Sequence, residues 1–109
     1  KADIGQSVIV HQGVVLGVEA AEGTDALIER CAPLRTNGKG GVLVKICKPG
    51  QDRALDLPTI GPHTLKLLGS HGYHGLAALS GSTLISHIDD TRRAAAEENL
   101  FVQGLKNDI

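Results

Sequence analysis

The sequence predicts an α/β fold: a mixed, mainly parallel sheet that opens with a β-hairpin and has three helices packed on it. Two observations predict this class. Short β-branched runs alternate with amphipathic stretches of helical period, and the 41% apolar content includes almost no aromatic side chains. Helices between successive strands imply right-handed crossovers and parallel neighbours. At 109 residues, the chain is expected to form one domain around one aliphatic core.

The hairpin and the first helix are predicted near the start of the chain. Residues 7–11 and 14–18 are β-branched runs on either side of a turn in which Gly13 takes a positive φ. Their near-continuous apolar character predicts burial on both faces. A helix then begins with Thr24 as its N-cap and ends or kinks at Pro33. Its apolar face is predicted to contain Leu27, Cys31 and Leu34.

The rest of the chain continues the alternation of strands and helices. The glycine-rich segment 36–41 is interpreted as a flexible connector, because it lacks Walker spacing and precedes a strand rather than a helix. Pro62 starts the second helix, since proline is tolerated at the first helical position, and Gly72 ends it. Residues 106–109 are predicted to be a tail. The other predicted elements are strands at 42–47, 76–80, 83–86 and 101–104, and a helix that Asp89 caps and that runs to about residue 99.

Composition and charge exclude several classes of function. The net charge is −1, the basic residues are scattered and aromatics make up 2%, so a nucleic-acid partner is not expected. Because there is no apolar run of about 18 residues and no signal-peptide pattern, we expect a soluble, cytoplasmic protein. The chain begins with Lys rather than Met, which suggests a fragment of a longer protein. Cys31 and Cys47 are expected to be small buried hydrophobic groups rather than a disulfide.

Polar side chains concentrate in two loops that follow strands. Residues 19–25 follow the second strand, and residues 48–56 follow the next strand parallel to it. Because ligands bind beyond the carboxyl ends of parallel strands, both loops are expected to rise from the same edge of the sheet. The candidate site residues in these loops are Glu22, Thr24, Asp25, Lys48, Gln51, Asp52, Arg53 and Asp56.

These residue types suit a divalent cation and a phosphorylated ligand. Carboxylates hold Mg²⁺ or Mn²⁺ through hard oxygen ligands. Lys48 and Arg53 are suited to phosphate oxygens, the guanidinium in bidentate fashion. A cation beside a phosphoryl group polarises it and lowers the pKa of an attacking water.

A purely structural interpretation of these residues stays open. Asp25 and Glu22 would also be favourable at the positive end of a helix dipole. Asp52 could form an Asx-turn, and Asp56 could form an ion pair with Arg53. The five histidines do not predict a zinc site. The closest pair in sequence is separated by a helix stop, and the others are isolated at turns and helix starts.

An ordered set of motifs resembles the carboxy-terminal domain of the UDP-2,3-diacylglucosamine pyrophosphatases of the LpxI type. The resemblance covers residues 2–105. The motifs are Asp-Ile-Gly-Gln at 3–6, Val-Glu-Ala and Glu-Gly-Thr-Asp within 18–25, Gly-Val-Leu-Val-Lys at 41–45, Lys-Pro-Gly-Gln-Asp at 48–52, Asp-Leu-Pro-Thr-Ile-Gly-Pro at 56–62, Gly-Leu-Ala at 75–77 and Phe-Val-Gln-Gly at 101–104.

The resemblance implies a metal-dependent hydrolase of lipid A biosynthesis in Gram-negative bacteria. Such an enzyme cleaves UDP-2,3-diacylglucosamine to lipid X and UMP with Mg²⁺ or Mn²⁺. Residues 2–105 would then be the catalytic and substrate-binding carboxy-terminal domain of a two-domain enzyme, with its own amino-terminal domain as partner. The resemblance also leaves room for peripheral contact with the inner membrane through the acylated substrate, and for a homodimer.

The same resemblance implies roles for individual residues. The family's essential aspartate is placed on Asp52, with Asp56 as the second choice for the catalytic role. The expected metal ligands are Asp52, Asp25 and Glu22. The expected substrate contacts are Glu22, Thr24, Asp25, Lys48, Gln51 and Arg53.

Two other functions compete with hydrolysis. In the first, the domain is a non-catalytic module that binds an acylated sugar phosphate or mediates subunit contact. Strands 76–80 and 83–86 would then line an acyl-chain groove, although their apolar residues fit an ordinary core as well. In the second, the domain is purely structural. A response of thermal stability to metal ions would separate the catalytic role from both.

Overall fold

The computed structural model describes residues 5–47, 55–56, 61–80, 85–86 and 88–106. Within these ranges it has seven strands, three α-helices and one 3₁₀ turn. The elements in order are β1 (Gly5–His11), β2 (Val14–Val18), α1 (Thr24–Cys31), the 3₁₀ turn Ala32–Leu34, β3 (Val42–Cys47), β4 (Leu55–Asp56), α2 (Pro62–Ser70), β5 (Gly75–Ser80), β6 (Ile85–Ser86), α3 (Ile88–Ala96) and β7 (Phe101–Lys106).

The main sheet has five strands in the order β2-β1-β3-β5-β7. Strand β1 pairs antiparallel with both β2 and β3, whereas β3, β5 and β7 pair in parallel. The α/β class, the opening hairpin and the three helices are therefore confirmed. The expected parallel majority is only partly matched, because β1 lies between β2 and β3 and makes two of the four pairings antiparallel. Strands β4 and β6 form a separate parallel pair.

The ends of the strands define two opposite borders of this sheet, which we call edges and which are not its outer strands. Strands β2, β3, β5 and β7 run in one direction and β1 in the other. We call the edge where the four co-directional strands end the carboxyl edge, and the edge where they begin the amino edge. Strand β1 ends at the amino edge, at His11.

The hairpin has the predicted turn but not the predicted burial. Gln12 and Gly13 both have positive φ, of 53° and 79°, which is the geometry that matches the right-handed twist of paired strands. However, Val14 and Val15 are each 57% exposed. The expectation of burial on both faces is wrong for β2, because β2 pairs only with β1 within the described sheet.

The first helix has the predicted buried face but different ends. Leu27 and Cys31 are fully buried, as expected. Gly23 rather than Thr24 is the N-cap, and Thr24 is the first helical residue. Leu34 is 53% exposed instead of buried. The reason is that the α-helix ends at Cys31 and continues as a 3₁₀ turn, whose tighter winding takes Leu34 off the apolar stripe.

The core between sheet and helices is almost entirely aliphatic. Ile9, Leu43 and Leu76 of the sheet have no exposed surface. Leu65 and Leu68 of α2, which begins at Pro62 as predicted, are buried as well. In β5, the side chains of residues 76–78 are buried, which fits core packing.

Other element ends also differ from prediction. Helix α3 begins at Ile88, so Asp89 lies in its first turn instead of capping it, and the helix ends at Ala96. Asn99 has a φ of 60°, a left-handed conformation that the helix does not adopt. Lys106 belongs to β7 and not to a tail. Strand β6 lies within the strand predicted at 83–86, whereas the two-residue strand β4 was not predicted, because it has no periodicity of its own.

Two predictions from composition concern the cysteines and membrane spans. Cys31 is a buried free thiol, and burial raises its pKa, which confirms its interpretation as a small hydrophobic group. The side chain of Cys47 lies outside the described part of the chain. None of the helices that the structure describes is long and apolar enough to cross a bilayer.

Candidate functional site

The loops that follow β2 and β3 leave the sheet at the carboxyl edge. This follows from the shared direction of these two strands, although β1 lies between them. Helix α1 begins after the first loop, and helix α2 begins after the second. The first turns of both helices therefore approach each other at this edge, where the orphan N–H groups of helix starts favour negative charge.

A cluster of three polar side chains joins the two helix starts; we call Asp25, His63 and Thr64 the carboxyl-edge cluster. The Thr64 hydroxyl donates a hydrogen bond to Asp25 Oδ1 at 2.6 Å. His63 Nε2 lies 3.5 Å from Asp25 Oδ2. The Asp25 carboxylate is 42% exposed and His63 is 78% exposed, so the cluster is open to ligands. One carboxylate of α1 is thus held by two side chains of α2.

The sequence explains why His63 and Thr64 occupy these positions. Gly61 caps α2 and Pro62 fills its first position, which places the next two residues in the first turn. Prediction from sequence noted His63 only as a residue near a helix start. It missed both residues, because their partner Asp25 is distant in sequence, 39 positions before Thr64. The Gly-Pro helix start beside a charged loop is the local feature that points to them.

Glu22 and Thr24 are engaged elsewhere in the β2–α1 loop. Arg30 donates to Glu22 Oε2 from Nε at 3.2 Å and from Nη2 at 2.9 Å. A hydrogen bond from its own backbone N–H and the Arg30 guanidinium hold the pKa of Glu22 below its ordinary value. Thr24 Oγ1 donates to Glu19 Oε1 at 3.0 Å. These bonds connect neither side chain to the carboxyl-edge cluster.

The remaining candidates belong to the β3–α2 loop. Lys48, Gln51, Asp52 and Arg53 lie outside the described residues. For Asp56 the structure gives the backbone, in strand β4, where it pairs with Ser86 of β6. The roles assigned to these five residues therefore stay predictions.

A divalent cation at the carboxyl edge would have oxygen donors from the cluster. The Asp25 carboxylate and the Thr64 hydroxyl are hard ligands of the kind that Mg²⁺ prefers. Within the described ranges, no three His, Cys, Asp or Glu side chains come together as a metal site. One carboxylate with waters and phosphate oxygens is a usual Mg²⁺ environment, so the donor set fits as part of a site.

Fold and cluster together define the class: a mixed α/β domain whose candidate site lies beyond the ends of co-directional strands, the usual ligand position in such sheets. The chain matches the family described as LpxI C-terminal domain over residues 1–103. It is also 40% identical, over 111 residues, to the UDP-2,3-diacylglucosamine pyrophosphatase LpxI of Caulobacter vibrioides. The chain belongs to the LpxI C-terminal domain family, which confirms the resemblance.

Coverage in the comparison with the Caulobacter protein is unequal. The match includes 96% of this chain but only 40% of the length of that relative. Among solved structures, the chain is similar to a dCMP deaminase from the cyanophage S-TIM5 in complex with dCMP and dUMP. The TM-score is 0.56 with 12% identity, over 96% of this chain and 83% of the deaminase. At this identity the likeness concerns the fold alone.

Proposed function

We propose that this domain takes part in the hydrolysis of UDP-2,3-diacylglucosamine to lipid X and UMP, a step of lipid A biosynthesis. The observation that carries the proposal is the 40% identity to a UDP-2,3-diacylglucosamine pyrophosphatase across nearly the whole chain. The relative is longer than this chain, so we propose that the active site forms together with an amino-terminal domain.

The chemistry requires an attacking water and neutralisation of the diphosphate. The water oxygen forms a bond to one phosphorus, and the bridging P–O bond breaks to release UMP and lipid X. Mg²⁺ or Mn²⁺, when bound, would polarise the phosphoryl group and lower the pKa of the water. Asp52, or Asp56 as second choice, is the proposed catalytic carboxylate, with Lys48 or Arg53 stabilising charge on the nucleotide that leaves.

The carboxyl-edge cluster has a defined place in this proposal. Asp25 is a proposed metal ligand, and its bond to Thr64 fixes the start of α1 against the start of α2. Helix α2 follows Asp52 in the sequence, so this bond fixes the helix start that comes after the proposed catalytic residue. His63 faces Asp25 through Nε2, which leaves Nδ1 for a phosphate oxygen or for water.

The decisive experiment measures turnover of UDP-2,3-diacylglucosamine by the full-length protein that contains this domain. Asp52→Asn is expected to lower kcat by about a hundredfold or more, with an unchanged thermal unfolding midpoint. Glu97→Gln, an exposed carboxylate in the turn after α3, is the matched control and should keep full activity. Near-normal turnover of Asp52→Asn would remove Asp52 from catalysis and transfer the role to Asp56.

The binding-module alternative is separated by a second measurement. We expect Mg²⁺ or Mn²⁺ to raise the unfolding temperature of the wild-type chain, and Asp25→Asn to reduce that rise. Stabilisation by lipid X with no effect of either metal would instead favour a non-catalytic module that binds acylated sugar phosphates.

A further inference from the structure

A second candidate site lies at the amino edge, at the opposite end of the strands from the carboxyl-edge cluster. A cavity of about 430 Å³ opens there between the end of β1, the start of β3 and the loop before β5. This volume is in the range of small-molecule sites. We call it the amino-edge cavity. Its polar lining residues are His11, Gln12, Asn37, Lys39 and His74.

The lining of the amino-edge cavity contains a cation, Lys39, without a compensating carboxylate. Lys39 and two imidazoles line it, and its lining includes no Asp or Glu. Arg35 lies just behind, 7% exposed, where Nη1 donates to the Gly40 carbonyl at 3.0 Å. Its guanidinium stacks over Tyr73 at 4.6 Å and has no carboxylate partner among the described residues. Since buried cations are normally paired with anions, this region has unbalanced positive charge.

His11, which lines the cavity, has a buried nitrogen without a hydrogen-bond partner among the described residues. His11 is only 7% exposed, and its Nε2 forms no hydrogen bond within the structure described. More than nine in ten buried polar groups in proteins are hydrogen-bonded, so an unpaired imidazole nitrogen needs an explanation. A turn of the His11 ring that brings this nitrogen to a ligand in the cavity would provide one.

The glycine-rich loop gives the cavity its shape. Instead of a free connector, it is tied down: Gly40 N–H donates to the Gly72 carbonyl, and His74 N–H donates to the Gly41 carbonyl, both at 2.8 Å. A methyl group at Gly40 would lie 3.3 Å from Cε1 of both His11 and His74. The loop therefore holds the two imidazoles on either side of one glycine. Gly40 has a φ of 94°, which favours glycine here.

We propose that the amino-edge cavity binds a phosphate monoester. Lys39, the two imidazoles and the Asn37 amide are donors that suit an anion with several oxygens. Asn37 Oδ1 accepts the Lys39 backbone N–H, which leaves the amide nitrogen as a donor. The cavity is also larger than phosphate alone requires, which leaves space for the group that the phosphate is attached to. This site is separate from the proposed hydrolytic site and does not depend on it.

The test follows the imidazole NMR signals of the full chain during titration with inorganic phosphate and, separately, with glycerol phosphate. Both ligands are expected to shift the signals of His11 and His74 in a saturable way. Lys39→Gln is expected to weaken binding about tenfold, as for the loss of one hydrogen bond to a charged group. Lys66→Gln is the matched control, because this lysine is 72% exposed and pairs with Glu98 away from the cavity.

A second variant keeps the proposal falsifiable if Lys39→Gln fails to fold. Asn37→Asp is nearly isosteric at an exposed position and introduces a carboxylate into the cavity wall, so it should abolish binding of both ligands. Three results would overturn the proposal: no saturation of the His11 and His74 shifts, equal weakening by Lys66→Gln, or binding of inorganic phosphate without glycerol phosphate.

Discussion

The hydrogen bond between Asp25 and Thr64 offers the sharpest test of the carboxyl-edge cluster. It connects the first turns of α1 and α2 at an Oγ1 to Oδ1 distance of 2.6 Å, in the short range of bonds to a carboxylate. Asp25→Ala removes the acceptor, and Thr64→Val removes the donor hydroxyl while keeping the side-chain shape. We expect each single variant to destabilise the domain, and the double variant to cost less than their sum.

The expected coupling energy follows from the geometry. A hydrogen bond to a charged group contributes about 1.5–3 kcal/mol when buried. Because the Asp25 side chain is 42% exposed, solvent screening reduces this, and we expect a coupling of roughly 1 kcal/mol. For a domain of this size, 1 kcal/mol corresponds to a shift of about 4–8 °C in Tm.

The assay is a double-mutant cycle in urea unfolding, with Thr36→Val as the matched control. Thr36 is exposed and donates a weak 3.4 Å hydrogen bond to Gln12, so its replacement should change stability by less than about 0.5 kcal/mol. If the effects of Asp25→Ala and Thr64→Val simply add, the two side chains do not interact and the cluster does not hold the helix starts together.

Two further predictions concern the fold. Gly75→Ala would place a Cβ 2.5 Å from the Phe101 carbonyl oxygen of β7, so we expect a loss of about 2 kcal/mol in urea unfolding. Adding Phe101→Ala should not restore it, since the backbone contact persists; full rescue would show that only the Phe101 ring matters. Burial raises the pKa of Tyr73, the sole tyrosine, to about 12, so tyrosinate absorbance of the folded chain should titrate near that value. Folding favours the neutral phenol, so its contribution to the free energy of unfolding is fully present below about pH 10 and is lost as the pH rises towards 12. A tyrosinate titration midpoint near pH 10 in the folded protein would contradict this.

Local pattern predicted the elements well where their cause is local. The paired β-branched runs around Gly13 give a hairpin, and Pro62 gives a helix start, because turn and cap geometry depend on neighbouring residues. Leu27 and Cys31 follow from helical period. Leu34 does not, since the period changes at the 3₁₀ turn after Cys31.

The order of the strands in the main sheet was not predicted. The position of β1 between β2 and β3, which makes two of the four pairings of the main sheet antiparallel, depends on how the whole sheet assembles. The exposure of Val14 and Val15 fits the same arrangement, in which β2 is an outer strand of the described sheet.

The sequence predicted the position of the candidate site in the sheet better than it predicted which residues form it. Strands β2 and β3 do end at the same edge of the sheet, as the alternation of elements suggested. Asp25 belongs to the cluster found there. Glu22 instead pairs with Arg30, and the sequence alone does not determine whether Glu22 pairs with this arginine or lies in the candidate site. His63 and Thr64 were missed because they act through a residue distant in sequence.

Strand β3 runs between the two proposed binding positions. Val42 at its start lines the amino-edge cavity, and Cys47 at its end leads into the loop before α2. Six extended residues span roughly 20 Å, too far for occupants of the two ends to touch. If one occupant alters the affinity for the other, the two sites are coupled through the protein without direct contact. Thermodynamics requires the coupling free energy to be equal in both directions. Measuring either affinity with and without the other ligand would therefore show whether this small domain integrates two chemical inputs or handles each one independently.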